Sequence, residues 1–194
     1  MRLLALLTAA VLLAGCSIRG EEDGSSVKSD ELNQLVLQPA DLPRVFIRFD
    51  EGQQRNADQP VGRTRAGRQG GWKARYRRSG STETKGALVV ASLVDLFEST
   101  SSAEDEYAAQ QTDPREGGLT WRPVGSPKLG DEAFAITQVQ GSGPSRVQSF
   151  YIAWRDDHVV ASVQINGFGG KVNLADAAAL AQKQARRIAR VVAS

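Results

Sequence analysis

The sequence predicts an α+β domain: an antiparallel sheet of five to seven strands, with a short N-terminal helix, a middle helix and a long C-terminal helix packed on one face. Three observations predict it. Apolar and polar residues alternate with a period of two in several separate segments, these segments follow one another through turns rather than through intervening helices, and the C-terminal twenty residues carry an apolar stripe of helical period.

Each element has its own signature. In SDELNQLVL, Ser29 or Asp30 can cap a short helix with Leu32, Leu35 and Val36 on one side, which Pro39 must end. Asp41, Leu42 and Pro43 turn the chain into RVFIRFD, where Val45, Ile47 and Phe49 alternate with Arg44, Phe46 and Arg48 as in a strand. Residues 51–71 are polar and glycine-rich and read as a long mobile excursion. In WKARYRRS, Trp72, Ala74 and Tyr76 alternate with Lys73, Arg75 and Arg77, a strand with one wet face; ALVVASLVDLF is apolar on both faces and belongs near the sheet centre.

STSSAEDEYAAQQT begins a helix, Ser101 and Glu104 having capping-box spacing and Glu104, Asp105 and Glu106 placing negative charge on the first turn; Pro114 and Gly117 are expected to end it. LTWRPV and EAFAITQV are two strands around the turn GSPKLGD, with Pro123 pointing to an edge. VQSFYIAWRDDHVVASVQING is a hairpin. With Asp156 and Asp157 as its turn, Trp154 pairs with Val159, Ile152 with Ala161 and Phe150 with Val163, all on one face. Asn173 can cap a helix from Leu174 to about Val192, with Ala177, Ala181, Ala185, Ile188 and Val192 on one stripe and Gln182, Lys183, Arg186, Arg187 and Arg190 on the reverse.

The N-terminus carries a different kind of signal. Arg2 is followed by an uncharged apolar run from Leu3 to Leu13 and by small residues before Cys16, the single cysteine of the chain. This is the layout of a secretion signal, too short at about 1.5 Å per residue to cross a hydrocarbon core of about 30 Å. The stretch LLAGCS resembles the lipobox of bacterial lipoproteins. That resemblance implies a cleaved leader at residues 1–15 and a Cys16 bearing a thioether-linked diacylglycerol, and usually an acylated amine, so that the thiol becomes a membrane anchor. Two or three acyl chains hold where one would dissociate, each buried CH₂ contributing about 0.8 kcal/mol. Residues 16–28 then form the lipidated cysteine and a flexible polar spacer, and residues 29–194 one extracytoplasmic domain.

Removing the leader takes away Arg2 and leaves a formal charge of +1, so bulk charge selects no partner. Hydrophobic residues at 41% and charged residues at 24% are ordinary globular proportions, which suits one domain with an adequate core. The single cysteine rules out a thiolate metal site, and no cofactor motif is present: GFGGK lacks both the Walker spacing and the G-x-G-x-x-G pattern.

The stretches ADLP at 40–43, LGDEAF at 129–134, YIAWRDDHVVASVQINGFGG and DAAALAQKQARRI resemble bacterial lipoproteins with a PsbP-like or LpqN-like domain, and also the extracellular sensor domains of bacterial membrane kinases. The resemblance implies a binding or accessory domain without catalysis, and carries no functional residue over.

Candidate chemistry is sparse. His158 is the single histidine and follows Asp156 and Asp157, but a hairpin tip gives that triplet a sufficient explanation as a turn. No G-x-S-x-G elbow accompanies it. Asp131 with Glu132, and Glu104 to Glu106, are candidates for a paired-carboxylate hydrolase of the cell envelope, though the first pair sits in a turn and the second group in a cap. A structural assembly subunit is the third reading.

The strongest functional signal is charge. Arg63, Arg65, Arg68, Lys73, Arg75, Arg77 and Arg78 fall within sixteen residues that contain no acid. Together they are read as a site for an anionic lipid, a wall polymer or an acidic protein beside the membrane. Nucleic acid is excluded as a partner, because strand alternation explains the interleaved Trp72 and Tyr76 and the compartment lacks that substrate. A patch of exposed apolar residues, or a pocket beside the Trp72 strand, would support a binding domain.

Overall fold

A computed structural model describes residues 27, 31–58, 66–116 and 120–192. Seven strands form one antiparallel sheet: β1 (Ile47–Gln53), β2 (Arg68–Arg77), β3 (Val89–Phe97), β4 (Arg122–Val124), β5 (Glu132–Gln140), β6 (Val147–Asp156) and β7 (Val159–Phe168). Their spatial order is β1-β2-β3-β7-β6-β5-β4. Three helices complete the body, α1 (Leu32–Leu35), α2 (Thr100–Glu116) and α3 (Leu174–Val192). The fold class is therefore the expected one, α+β.

The expected sheet centre and edge are both found. β3, apolar on both faces, lies between β2 and β7, and β4 with Pro123 is a terminal strand. On one face the inward residues of β2, β3, β6 and β7, among them Tyr76, Val94, Trp154 and Val163, pack under Ala177, Ala181 and Ile188 of α3. Asn173 caps α3 reciprocally: its Oδ1 accepts from Asp176 N at 3.1 Å, and the Asp176 carboxylate accepts from Asn173 N at 3.2 Å.

The middle helix departs from the expected layering, because α2 lies on the opposite face. Ala103 and Tyr107 pack there with Phe97 and Val160, and the Tyr107 and Phe134 rings meet edge-on at 5.6 Å. The hairpin explains it: Val160 points away from the α3 side, so the second face has its own apolar surface to cover. Ser99 rather than Ser101 caps α2, its Oγ accepting from Ser102 N at 3.2 Å, and the helix runs through Pro114 to Glu116.

Three boundaries also differ. The hairpin turn is Asp157–His158, with Asp157 in the left-handed region at φ 53°, so Trp154 pairs with Ala161 and Ile152 with Val163. Asp tolerates that conformation, and the two-residue displacement keeps every side chain on its expected face. β1 runs to Gln53 and β2 begins at Arg68, so both ends of the expected excursion are sheet. Val27 is buried in the main core, inside the stretch read as spacer.

Two buried polar groups bind the layers together. Leu37 N donates to Ser92 Oγ at 2.9 Å, Ser92 donates to Gln184 Oε1 at 2.7 Å, and Gln184 Nε2 donates to Leu93 O at 2.8 Å. Tyr76 adds a hydrogen bond from its hydroxyl to Leu37 O at 2.6 Å. At the far end of β2, Arg68 donates to Asp95 Oδ1 from Nε at 3.0 Å and to Gln54 O and Asn56 Oδ1 from the same guanidinium. Gly71 leaves the room for that pair: a Cβ there would lie 2.1 Å from Asp95 Oδ1.

Candidate functional site

The basic segment divides by strand parity. Lys73, Arg75 and Arg77 project together from the face of β2 opposite α3, as their alternation with Trp72, Ala74 and Tyr76 requires. Arg68 does not join them: it is 5% exposed and is held by Asp95, because β2 starts there and its guanidinium closes the sheet end. Arg78 has the opposite parity and lies over the Phe46 ring at 5.3 Å on the α3 side. Arg63, Arg65 and Cys16 lie outside the described residues.

β1 supplies the rest of the site. β1 begins at Ile47 rather than Arg44; Ile47 pairs with Arg77, and Ile47 and Phe49 stand 57% and 38% exposed, facing solvent and not core, while Val45, 61% exposed, lies in the turn before the strand. Arg75 and Arg77 both lie over the Phe49 ring, at 5.0 and 5.2 Å. Asp50 is the nearby carboxylate, 2.9 Å from Lys73 Nζ and 3.4 Å from Arg75. The hydrogen bond from Lys73, ahead of the opposing effect of burial, holds its carboxyl below the usual range. Lys73 and Arg75 thus share one carboxylate while Arg77 stands over the Phe49 ring, leaving a surplus of two positive charges beside the exposed Ile47 and Phe49. Sequence reasoning found the cations and missed their apolar partners, whose signal was the alternation facing a basic neighbour strand.

A second concavity, about 490 Å³, lies on the other face of the same two strands. Trp72 forms one wall, with Gln34 and Gln38 opposite. Its Nε1 donates to Glu51 at 3.3 Å, and Glu51 is ion-paired with Arg48.

The acidic candidates gather on Arg155. Its Nη1 is 2.8 Å from Asp131, while Nη2 is 3.1 Å from Glu132 and 3.7 Å from Glu104. All three carboxylates are at least half exposed around a guanidinium that is nearly buried. Such an arrangement neutralises charge and does not converge on a cleft. Glu106 is buried in α2 and accepts from Gln110 at 2.8 Å. His158 Nδ1 is 2.7 Å from Asp157 Oδ2, and Asp157 also accepts from Thr100 at 2.5 Å, which makes the triplet a clamp between the hairpin and α2. Among the described residues no group of three or more His, Cys, Asp or Glu side chains could hold a metal ion.

The fold places the chain among α+β domains in which a single antiparallel sheet carries a long C-terminal helix on one face and a second helix on the other. Among solved structures it is similar to the extracellular domain of PknH from Mycobacterium tuberculosis, with a TM-score of 0.63 and 13% identity over 84% of this chain and 97% of that one. At that identity the likeness establishes a shared fold. No family model matches the chain, and no curated protein matches it.

Proposed function

We propose that the protein is a lipid-anchored, extracytoplasmic, non-catalytic binding domain whose β1–β2 outer face recognises an anionic component of the cell envelope. The observation that carries this reading is the outward pair Ile47 and Phe49 beside Lys73, Arg75 and Arg77. Apolar side chains among cations suit an anionic surface that is itself partly apolar, since the rings and stems insert while the guanidinium groups meet the anions. LLAGCS supports the anchor at Cys16, and the shared fold with an extracellular domain supports the compartment. Among the described residues no helix is long and apolar enough to cross a membrane.

Near an anionic membrane each well-placed basic residue contributes about 1 kcal/mol, so a surplus of two charges is worth about 2 kcal/mol, or roughly thirtyfold in affinity. Reversing Arg75 and Arg77 to Glu turns that surplus into a deficit of two. Cosedimentation of the Cys16→Ala chain with phosphatidylglycerol vesicles and with a phosphate-bearing wall polymer, teichoic acid, tests the face. Salt-sensitive binding lost in the reversal supports it, and unchanged binding at low salt removes it. Mass spectrometry of the exported protein tests the anchor: acyl mass on Cys16 is expected, and membrane retention of the Cys16→Ala chain equal to wild type would refute it.

A further inference from the structure

The parity that removes Arg78 from the basic face carries it to another site. A cavity of about 330 Å³ opens between the first half of α3, the Leu42–Phe46 segment and the loop joining β2 to β3. Leu42, Phe46, Val90 and Leu180 give it an apolar interior, and Leu42 and Val90 belong to the core itself. Arg78, Lys85 and Lys183 stand around it.

The charges around this cavity are unbalanced. Arg78 donates from Nε to Ala87 O at 2.6 Å and from Nη2 to Lys85 O, so it meets neutral carbonyls there. Lys183 likewise donates to a carbonyl, Asp41 O, at 2.5 Å. Lys85 is exposed at the rim. Of the two acids in the lining, Asp41 is ion-paired with Arg187, so three cations stand against the single uncompensated charge of Asp176. Asp41 accepts from Gln38 N at 2.8 Å and from Arg187 Nε at 2.9 Å, and Asp176 accepts from Asn173 N in the α3 cap. Hydrogen bonds to carbonyls orient a cation without neutralising it, and a guanidinium with five N–H groups keeps donors for an anion.

We infer that this groove binds a single-chain anionic amphiphile, its chain lying over Phe46, Val90 and Leu180 and its carboxylate or phosphate meeting Lys85, Arg78 and Lys183. An apolar interior under a cationic rim selects that class over a neutral or cationic lipid. The volume sits at the low end for ligand pockets, which fits one acyl segment rather than a two-chain lipid. The site lies on the opposite face of the sheet from Lys73, Arg75 and Arg77, so it goes beyond the proposed surface recognition and stands independently of it.

The test uses the Cys16→Ala chain in detergent-free buffer with 11-(dansylamino)undecanoic acid as fluorescent probe. Saturable enhancement is expected, displaced by laurate, by dodecyl phosphate or by both, but not by dodecyltrimethylammonium. Displacement by laurate alone assigns a carboxylate head, and by dodecyl phosphate alone a phosphate. Ala179→Phe fills the groove from an exposed helix position and should weaken the probe at least tenfold, while Lys85→Glu, on the exposed rim, should weaken it at least threefold. Thermal midpoints check that both variants fold, and vesicle binding through the other face should be unaltered in Ala179→Phe. The inference is overturned by absent saturation, by equal displacement with the cationic amphiphile, or by unchanged probe affinity in either folded variant.

Discussion

Gln184 is fully buried on α3 and joins that helix to β3, so a one-atom change there tests how the layers are held. In Gln184→Glu the amide nitrogen that donates to Leu93 O is replaced by oxygen. A protonated acid can reproduce both hydrogen bonds, accepting from Ser92 and donating to Leu93 O, whereas a carboxylate would present a charge to a carbonyl oxygen in a fully buried site. The folded pKa of the new acid must therefore stand above its unfolded value of about 4.3, and buried Glu side chains reach about 8 to 9. The sign follows: stability is fully present below about pH 4.3 and falls as pH rises, by about 1.36 kcal/mol per unit, until the folded pKa is passed. By pH 7 the loss is about 3.7 kcal/mol, a large fraction of the 5–15 kcal/mol typical of a domain. Urea unfolding of wild type and variant at pH 4.5 and pH 7, followed by tryptophan fluorescence, measures it. A Gln184→Met control should cost about 1–3 kcal/mol at both pH values, since it strands the same partners without a titrating group. A Gln184→Glu deficit that is the same at the two pH values would refute the buried network.

Two other consequences are local. Gly71→Ala places a Cβ 2.1 Å from Asp95 Oδ1 and 2.3 Å from Arg68 Nη2, so it should cost about 3 kcal/mol and lower the thermal midpoint by roughly 6–12 °C; an unchanged midpoint would mean the β2 end is not packed as described. The Asp157 carboxyl is held below its usual range, first by the Thr100 hydroxyl and then, against burial, by His158. Its contribution is present above the unfolded pKa of about 3.9 and lost as pH falls through the folded value, so Asp157→Asn should remove part of the acid sensitivity between about pH 4 and pH 2. Thermal midpoints over that range check it, and a wild-type-to-variant gap independent of pH would refute the clamp.

The sheet was legible because period-two patterning is a direct print of the pleat. Lys73, Arg75 and Arg77 separate from Trp72, Ala74 and Tyr76 in the sequence as they do in space, and the β6–β7 hairpin kept its faces because moving the turn by one residue shifts the pairing by two. What the sequence could not show was which polar residues lie inside. Arg68 and Gln184 look like surface residues in a one-dimensional reading, and only their partners, Asp95 at a separation of 27 positions and Ser92 at 92, make them interior. The placement of α2 was hidden for a related reason. Among its described side chains the buried ones are Ala103, Glu106 and Tyr107, too thin a stripe to announce a second covered face. Grouping Arg78 with Arg77 by proximity in the chain ignored the alternation that had sorted the strand correctly up to that point.

One irregularity accounts for both faces of the β1–β2 ribbon. Arg48 pairs with Tyr76 and Asp50 with Arg75, so Phe49 is an extra residue in β1, a bulge opposite a single partner. Without it, the register set by Ile47 and Arg77 would continue: Asp50 would oppose Ala74 and turn toward the core, and Glu51 would oppose Lys73 on the outer face. The bulge instead puts Phe49 and Asp50 outward together, the ring under Arg75 and Arg77 and the carboxylate beside Lys73. It also turns Glu51 inward, where it meets Arg48 and Trp72. Alternation alone therefore reads β1 correctly through Phe49 and fails at Asp50, the same step at which the strand gains its amphipathic outer surface. A docking face made this way depends on chain geometry as much as on composition, because moving one backbone residue would exchange its carboxylate for another and take the ring from beneath the guanidinium groups.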